Sequence, residues 1–177
     1  MSRGVPEARV EVFSRSERGL MPHQQSGLPA AQRPVRRMRS LGLRLDRILD
    51  PSLRIPLEAT FHYTEADPLV VRVELTVSEG RTVAWALSRD LLFDGTEEPS
   101  GIGDVRLWPS AVGTHRVLHM RLEVGSASCL FEMDLGQLQD WLLDTFALVH
   151  PGTELDEVDW DAVTADLFGG GEDRPRR

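Results

Sequence analysis

Residues 99–110 read PSGIGDVRLWPS, and the residues after its two glycines decide the fold. A dinucleotide-binding turn runs strand, G-x-G-x-x-G, helix, with the pyrophosphate on the helix N-terminus. Here Gly101 and Gly103 have no third glycine behind them. The next residues are DVRLWPS, where Val105 and Leu107 alternate with Arg106 and Trp108 in the period-2 pattern of a half-buried strand. A phosphate-cradling loop of the P-loop type also needs a lysine, and the chain has none. The stretch is therefore read as a glycine turn into a β-strand, which Trp108 anchors and Pro109 ends.

The same period extends outward on both sides. Upstream, LVVRVELTV (69–77) puts Leu69, Val71, Val73, Leu75 and Val77 on one face. Residues 78–80, SEG, form a hairpin turn, and RTVAWALSRD (81–90) returns antiparallel with Val83, Trp85 and Leu87 inward. RDLLFDG (89–95) reads as one helical turn ended by Gly95. Further back, LGLRLDRIL is a strand from Leu41; Pro51 and Pro56 then break the chain before PLEATFHY. Downstream, strands at about 114–124 and 127–133 flank a Gly125–Ser126 turn. Asp134 then caps a helix, with Gln137 three residues on and Leu138, Trp141, Leu142, Thr145 and Leu148 or Val149 as its buried stripe. Pro151–Gly152 ends that helix, and Asp156 or Asp159 caps a second, WDAVTADLF. Strands first and helices last predict an α+β fold: antiparallel β-sheets followed by C-terminal helices in a single domain.

Charge divides the chain. The 177 residues carry a net charge of -8, but residues 1–40 hold eight arginines and three acids, net +5. Residues 41–177 hold twelve arginines and twenty-five acids, net -13. Pro, Gly, Ser, Gln and Arg dominate the first segment without a sustained period. Residues 1–40 are therefore expected to be a disordered basic extension, 41–170 the folded domain and 171–177 a disordered tail. Met38 offers a second initiator at the edge of the body. The single cysteine, Cys129, excludes an internal disulfide and fits a reducing cytoplasm. No run of eighteen apolar residues suggests a membrane span, and no apolar h-region marks a signal peptide.

Catalytic, metal and cofactor sets are not expected. His115 and His119 lie four apart on a strand, hence on one face but about 13 Å apart, at ~3.3 Å per residue. That is too far for one ion. Cys129 falls in an apolar strand, where a thiol is packing. The acids from Glu154 to Asp166 lack the glycine and twelve-residue spacing of a calcium loop and read as helix N-terminal partners and a solvated face.

Four blocks taken together resemble a known family. ADPLVVRVEL, TVAWALSRDLLFDG, GIGDVRLWPS and HPGTELDEVDWDAVTADLF, in that order within about 41–170, are similar to the SsgA-like proteins of sporulating actinomycetes. The resemblance implies a whirly-like fold and a non-enzymatic regulator of sporulation-specific cell division. Such a protein would be cytoplasmic and located at the septum, as an adaptor for FtsZ recruitment or septal peptidoglycan remodelling. Its implied partners are FtsZ or an SsgA-like paralogue, and its implied assembly is a homo-oligomer, a trimer joined through its sheets. The family's motif residues carry over as Trp85, Arg89, Asp90, Gly101, Gly103, Asp104, Arg106, Trp108 and Pro109, either fold determinants or partner contacts. A second reading, a single-stranded nucleic-acid binder of whirly-like type, has the body's -13 charge and the absence of lysine against it.

Overall fold

Alternating apolar residues in eight segments produce one antiparallel sheet in the computed structural model, which describes residues 9–14, 35–78, 81–156 and 158–168. The strands are β1 (Arg9–Ser14), β2 (Leu41–Asp50), β3 (Leu53–His62), β4 (Val70–Ser78), β5 (Arg81–Ser88), β6 (Val105–Val112), β7 (His115–Val124) and β8 (Ala127–Asp134). The helices are α1 (Arg89–Glu97), α2 (Leu135–Leu148) and α3 (Trp160–Phe168). Strand order is β1-β5-β4-β3-β2-β8-β7-β6. Two meanders, β2 to β5 and β6 to β8, meet at a short seam where Asp46–Ile48 of β2 pair with Leu130–Glu132 of β8. The expected α+β order is present, with α1 as the link between the meanders.

One face of the sheet is the core. Leu43, Leu45, Phe61, Val71, Val73, Leu75, Trp85, Leu87, Val105, Leu107, Leu118, Met120, Phe131 and Met133 are buried on it, as period-2 spacing requires. Leu92 of α1 and Leu135, Leu138, Trp141 and Leu142 of α2 complete the same cluster. Trp141 meets Phe61 edge to face, with centroids 6.2 Å apart. Asp134 caps α2 by accepting from the Gln137 N–H at 2.7 Å, and Asp159 accepts from Ala162 N–H at 2.9 Å at the start of α3.

Several expectations need correction. Gly95 does not end α1; it lies buried within the helix, where an added Cβ would stand 2.5 Å from Leu107 Cβ. Its missing side chain lets α1 approach β6. Pro56 does not break the chain: β3 passes through it, opposite Asp46. At that point β3 has no β4 neighbour, since the β3–β4 register covers Glu58–His62, and a proline is tolerated at such a local edge. Pro109 likewise does not end β6, which runs to Val112. Leu107 directs both its N–H and its C=O outward to Ser100, at 2.9 and 2.8 Å. Backbone directions alternate along a strand, so Pro109 also faces away from β7 and its missing N–H costs no ladder bond.

The N-terminal boundary also moves. Within the expected disordered extension, Arg9–Ser14 forms β1 along β5, and residues 35–40 lie on the body. Met38 packs against the core, its N–H donates to Tyr63 O at 3.3 Å, and Trp141 Nε1 donates to Arg39 O at 2.9 Å. The rest of 1–40, the 79–80 part of the hairpin turn and the 171–177 tail lie outside the described residues.

Candidate functional site

The motif residues fall into a buried group and an exposed group. The buried group centres on Arg89, the first residue of α1, whose side chain is fully enclosed. Ser88 caps the helix by accepting from Leu91 N–H, which turns Arg89 inward at the end of β5. One guanidinium nitrogen, Nη1, donates to Tyr63 Oη at 2.7 Å, Val149 O at 2.8 Å and Thr145 O at 3.4 Å. The other, Nη2, donates to Glu154 Oε1 at 2.5 Å. The guanidinium carbon sits 4.3 Å from the Phe146 ring centroid and 5.5 Å from that of Tyr63.

These contacts do structural work. The last carbonyls of a helix have no intrahelical donor, and Arg89 supplies one to the end of α2. Glu154 also accepts from Gly152 N–H at 2.7 Å, so the Pro-Gly-Thr-Glu turn is fastened to the same cation. Tyr63 passes the link on, its hydroxyl donating to Pro68 O at 3.0 Å. Burial pushes the Tyr63 hydroxyl above its usual range, against the opposing pull of Arg89. Two of the four sequence blocks thus meet at one guanidinium, and a third is tied to it through Tyr63 and Pro68. Trp85, 4% exposed, lies in the core behind it. Enclosed to this degree, Trp85 and Arg89 cannot touch a partner of the folded chain.

Gly101 and Gly103 shape the entry to β6. Their φ angles are +94° and +73°, the left-handed region that favours glycine. A Cβ at Gly101 would also run into the Val105 carbonyl, whereas Gly103 faces open space. The loop folds back onto its own strand through the Ser100–Leu107 bridge. Asp104 is exposed, and its carbonyl accepts from Glu123 N–H at 2.8 Å. Asp90 is exposed beside Arg89, its carboxylate 3.9 Å from Arg89 Nε.

Of the remaining motif residues, Arg106 and Trp108 lie on the outer face of the sheet, and Pro109 lies on the core face opposite Leu118. Arg106 is exposed, and Trp108 and Pro109 are half-buried. Trp108 stacks on His119 of β7, centroids 5.4 Å apart at 22°. His119 Nε2 lies 3.1 Å from Glu132 Oε2 on β8, and Glu132 also pairs with Arg54 of β3. A continuous line, Trp108–His119–Glu132–Arg54, therefore crosses the sheet where the two meanders join. Sequence reading placed Trp108 but missed this line. Alternation shows which face a residue occupies, whereas its neighbours depend on strand register. His115 and His119 lie on one face of β7, and among the described residues no three His, Cys, Asp or Glu side chains gather as metal ligands.

Known proteins are similar to this chain in sequence and fold. The family model described as "Streptomyces sporulation and cell division protein, SsgA" matches residues 57–154. The sporulation-specific cell division protein SsgB of Frankia casuarinae is 35% identical over 134 residues, spanning 76% of this chain and 92% of that protein. A solved structure from work on SsgB and longitudinal cell division during sporulation of Streptomyces coelicolor superposes with a TM-score of 0.68 at 32% identity, covering 71% of this chain and 98% of the other. An SsgA-like sporulation-specific cell division protein from Thermobifida fusca superposes with a TM-score of 0.65 at 31% identity, covering 73% and 94%.

Proposed function

We propose that this chain, which belongs to the SsgA family of Streptomyces sporulation and cell division proteins, acts in sporulation septation by binding rather than by chemistry. Its role is that of an adaptor at the septum, in FtsZ recruitment or in septal peptidoglycan remodelling, with a divisome protein or an SsgA-like paralogue as partner and with a homo-oligomer, a trimer, as the working form. The observation that supports a binding role is the position of Trp108. An indole that could have been core instead stands on the outer face, stacked on His119 with Arg106 nearby. Tryptophan and arginine are the residue types that dominate protein–protein hot spots. No helix among the described residues is long and apolar enough to cross a membrane, which suits recruitment through protein contacts.

The test separates fold from contact. Trp108→Ala removes one ring of the Trp108–His119 stack together with the buried part of the indole and should cost about 2–3 kcal/mol, the aromatic-pair contribution plus the lost burial. The variant is expected to stay folded while a fluorescent fusion loses its septal foci in a sporulating actinomycete. A wild-type fusion that remains diffuse throughout sporulation would remove the septal reading. A Trp108→Ala fusion with normal foci would remove the outer face from it.

A further inference from the structure

Strand register sets two like charges against each other on the outer face of the sheet. Arg106 of β6 and Arg121 of β7 are directly opposite one another. Like charges at opposite positions of an antiparallel pair repel. Composition does not force this, since residues 41–177 hold twenty-five acids. Arg121 has Glu123 beside it, with Nε 3.1 Å from Oε1. Arg106 is exposed, and no side chain among the described residues pairs with it.

The neighbours of this pair are apolar. Trp108 stands two residues along β6 on the same face, about 7 Å away at ~3.3 Å per residue. On the other side the row runs from Arg121 to Leu130 of β8 and Ile48 of β2, both half-buried, and ends at Arg54 of β3. Arg54 is already paired with Glu132, so the uncompensated charge sits at the Arg106 end. There β6 is the terminal strand, but its backbone is not on offer. Ser100 takes both outward groups of Leu107, and Pro109 has no N–H. A partner meets this region through side chains rather than as an added strand.

We infer that this band is a docking surface for an acidic peptide segment, with one carboxylate seated between Arg106 and Arg121 and an apolar side chain against Trp108 and Leu130. Charge complementarity selects the occupant. A carboxylate matches the planar donor fork of a guanidinium and relieves the repulsion within the pair. A neutral or basic segment would cover two cations without a counter-charge. Nucleic acid spreads its charge over a wider surface, and there it meets a body of net charge -13. A single carboxylate meets only the local pair. The inference rests on the outer-face contact proposed above and gives its partner a chemistry. It is read on purified protein and the septal role in cells, so either can fail alone.

Fluorescence anisotropy on the full chain at low salt tests it with three labelled probes: a decapeptide of alternating Asp and Leu, its Asp–Ser counterpart, and decathymidylate. The Asp–Leu peptide is expected to bind, and the Asp–Ser peptide to bind more weakly for want of the contacts to Trp108 and Leu130. Arg106→Glu should weaken the Asp–Leu complex by about tenfold or more, the equivalent of one lost charge-assisted contact. That substitution sets opposite charges across the two strands, so the variant should melt no lower than wild type, which separates lost contact from lost fold. Arg106→Gln should repeat the loss without adding an acid. Arg116→Glu makes the same change of net charge at an exposed position on the other face of β7 and should leave binding unchanged. An Asp–Leu peptide that stays unbound at millimolar concentration would overturn the inference. So would equal losses from Arg106→Glu and Arg116→Glu, an Asp–Ser peptide bound as tightly as Asp–Leu, or decathymidylate bound more tightly than either.

Discussion

At the scale of single residues, Arg89 carries the largest consequence. A buried cation is tolerable only when it is well paired, and here Glu154, the Thr145 and Val149 carbonyls and the Tyr63 hydroxyl take up both Nη nitrogens, while Nε has no hydrogen-bond partner. Arg89→Ala is expected to cost about 3–5 kcal/mol, the range for removing one member of a buried pair. Against a typical domain stability of roughly 5–15 kcal/mol, that leaves little. Arg89→Lys should recover only part of the loss, because a single ammonium cannot reach the acceptors that the planar fork spans. Urea unfolding of both variants measures this. A Lys variant with wild-type stability would show that the charge alone matters and the fork geometry does not.

At the scale of elements, the 98–112 segment shows how a loop and an edge strand are stabilised together. β6 is the terminal strand of the sheet, and exposed edges invite pairing with other chains. Ser100 occupies the outward groups of Leu107, and Pro109 presents no donor two residues on. The glycine turn puts Ser100 in place. Gly101→Ala is therefore expected to destabilise more than Gly103→Ala. Both incur the left-handed penalty of about 1–2 kcal/mol, but only at Gly101 does the new Cβ meet the Val105 carbonyl. Chemical denaturation should rank them in that order, and equal losses would mean that the turn relaxes freely around Gly101.

At the scale of the whole molecule, the boundary between body and extension falls upstream of residue 41. The core cluster draws on Met38, and Arg36 holds Glu65 through its backbone N–H and Nε, both at 2.6 Å. Removing residues 1–34 should lower the melting temperature only slightly, because it deletes β1, an edge strand on β5, but no member of the core cluster of the described residues, which begins at Met38. Removing 1–40 should lower it by several degrees. Thermal melts of the two truncations decide the point, and equal values would mean that 35–40 adds nothing to stability.

Alternation and capping are local properties, so the chain's own order of residues was enough for the α+β class, for the inward faces of β4, β5 and β6, for the Asp134 cap and for the extent of α3. Family resemblance added which blocks matter. What those blocks do was decided by tertiary structure, because it depends on which distant segments meet. Arg89, Glu154 and Tyr63 are 65 and 26 residues apart in sequence, yet they form one cluster. Pro56 and Pro109 look like breaks along the chain; the strand pairing makes them harmless, since a proline disturbs a sheet only where a neighbour needs its N–H. Gly95 looks like a helix stop until β6 packs beneath it. Period assigns Trp85 and Trp108 to opposite faces of the sheet, but that the outer one meets His119, and through it Glu132, is a matter of register, which cross-strand hydrogen bonding sets over the whole sheet.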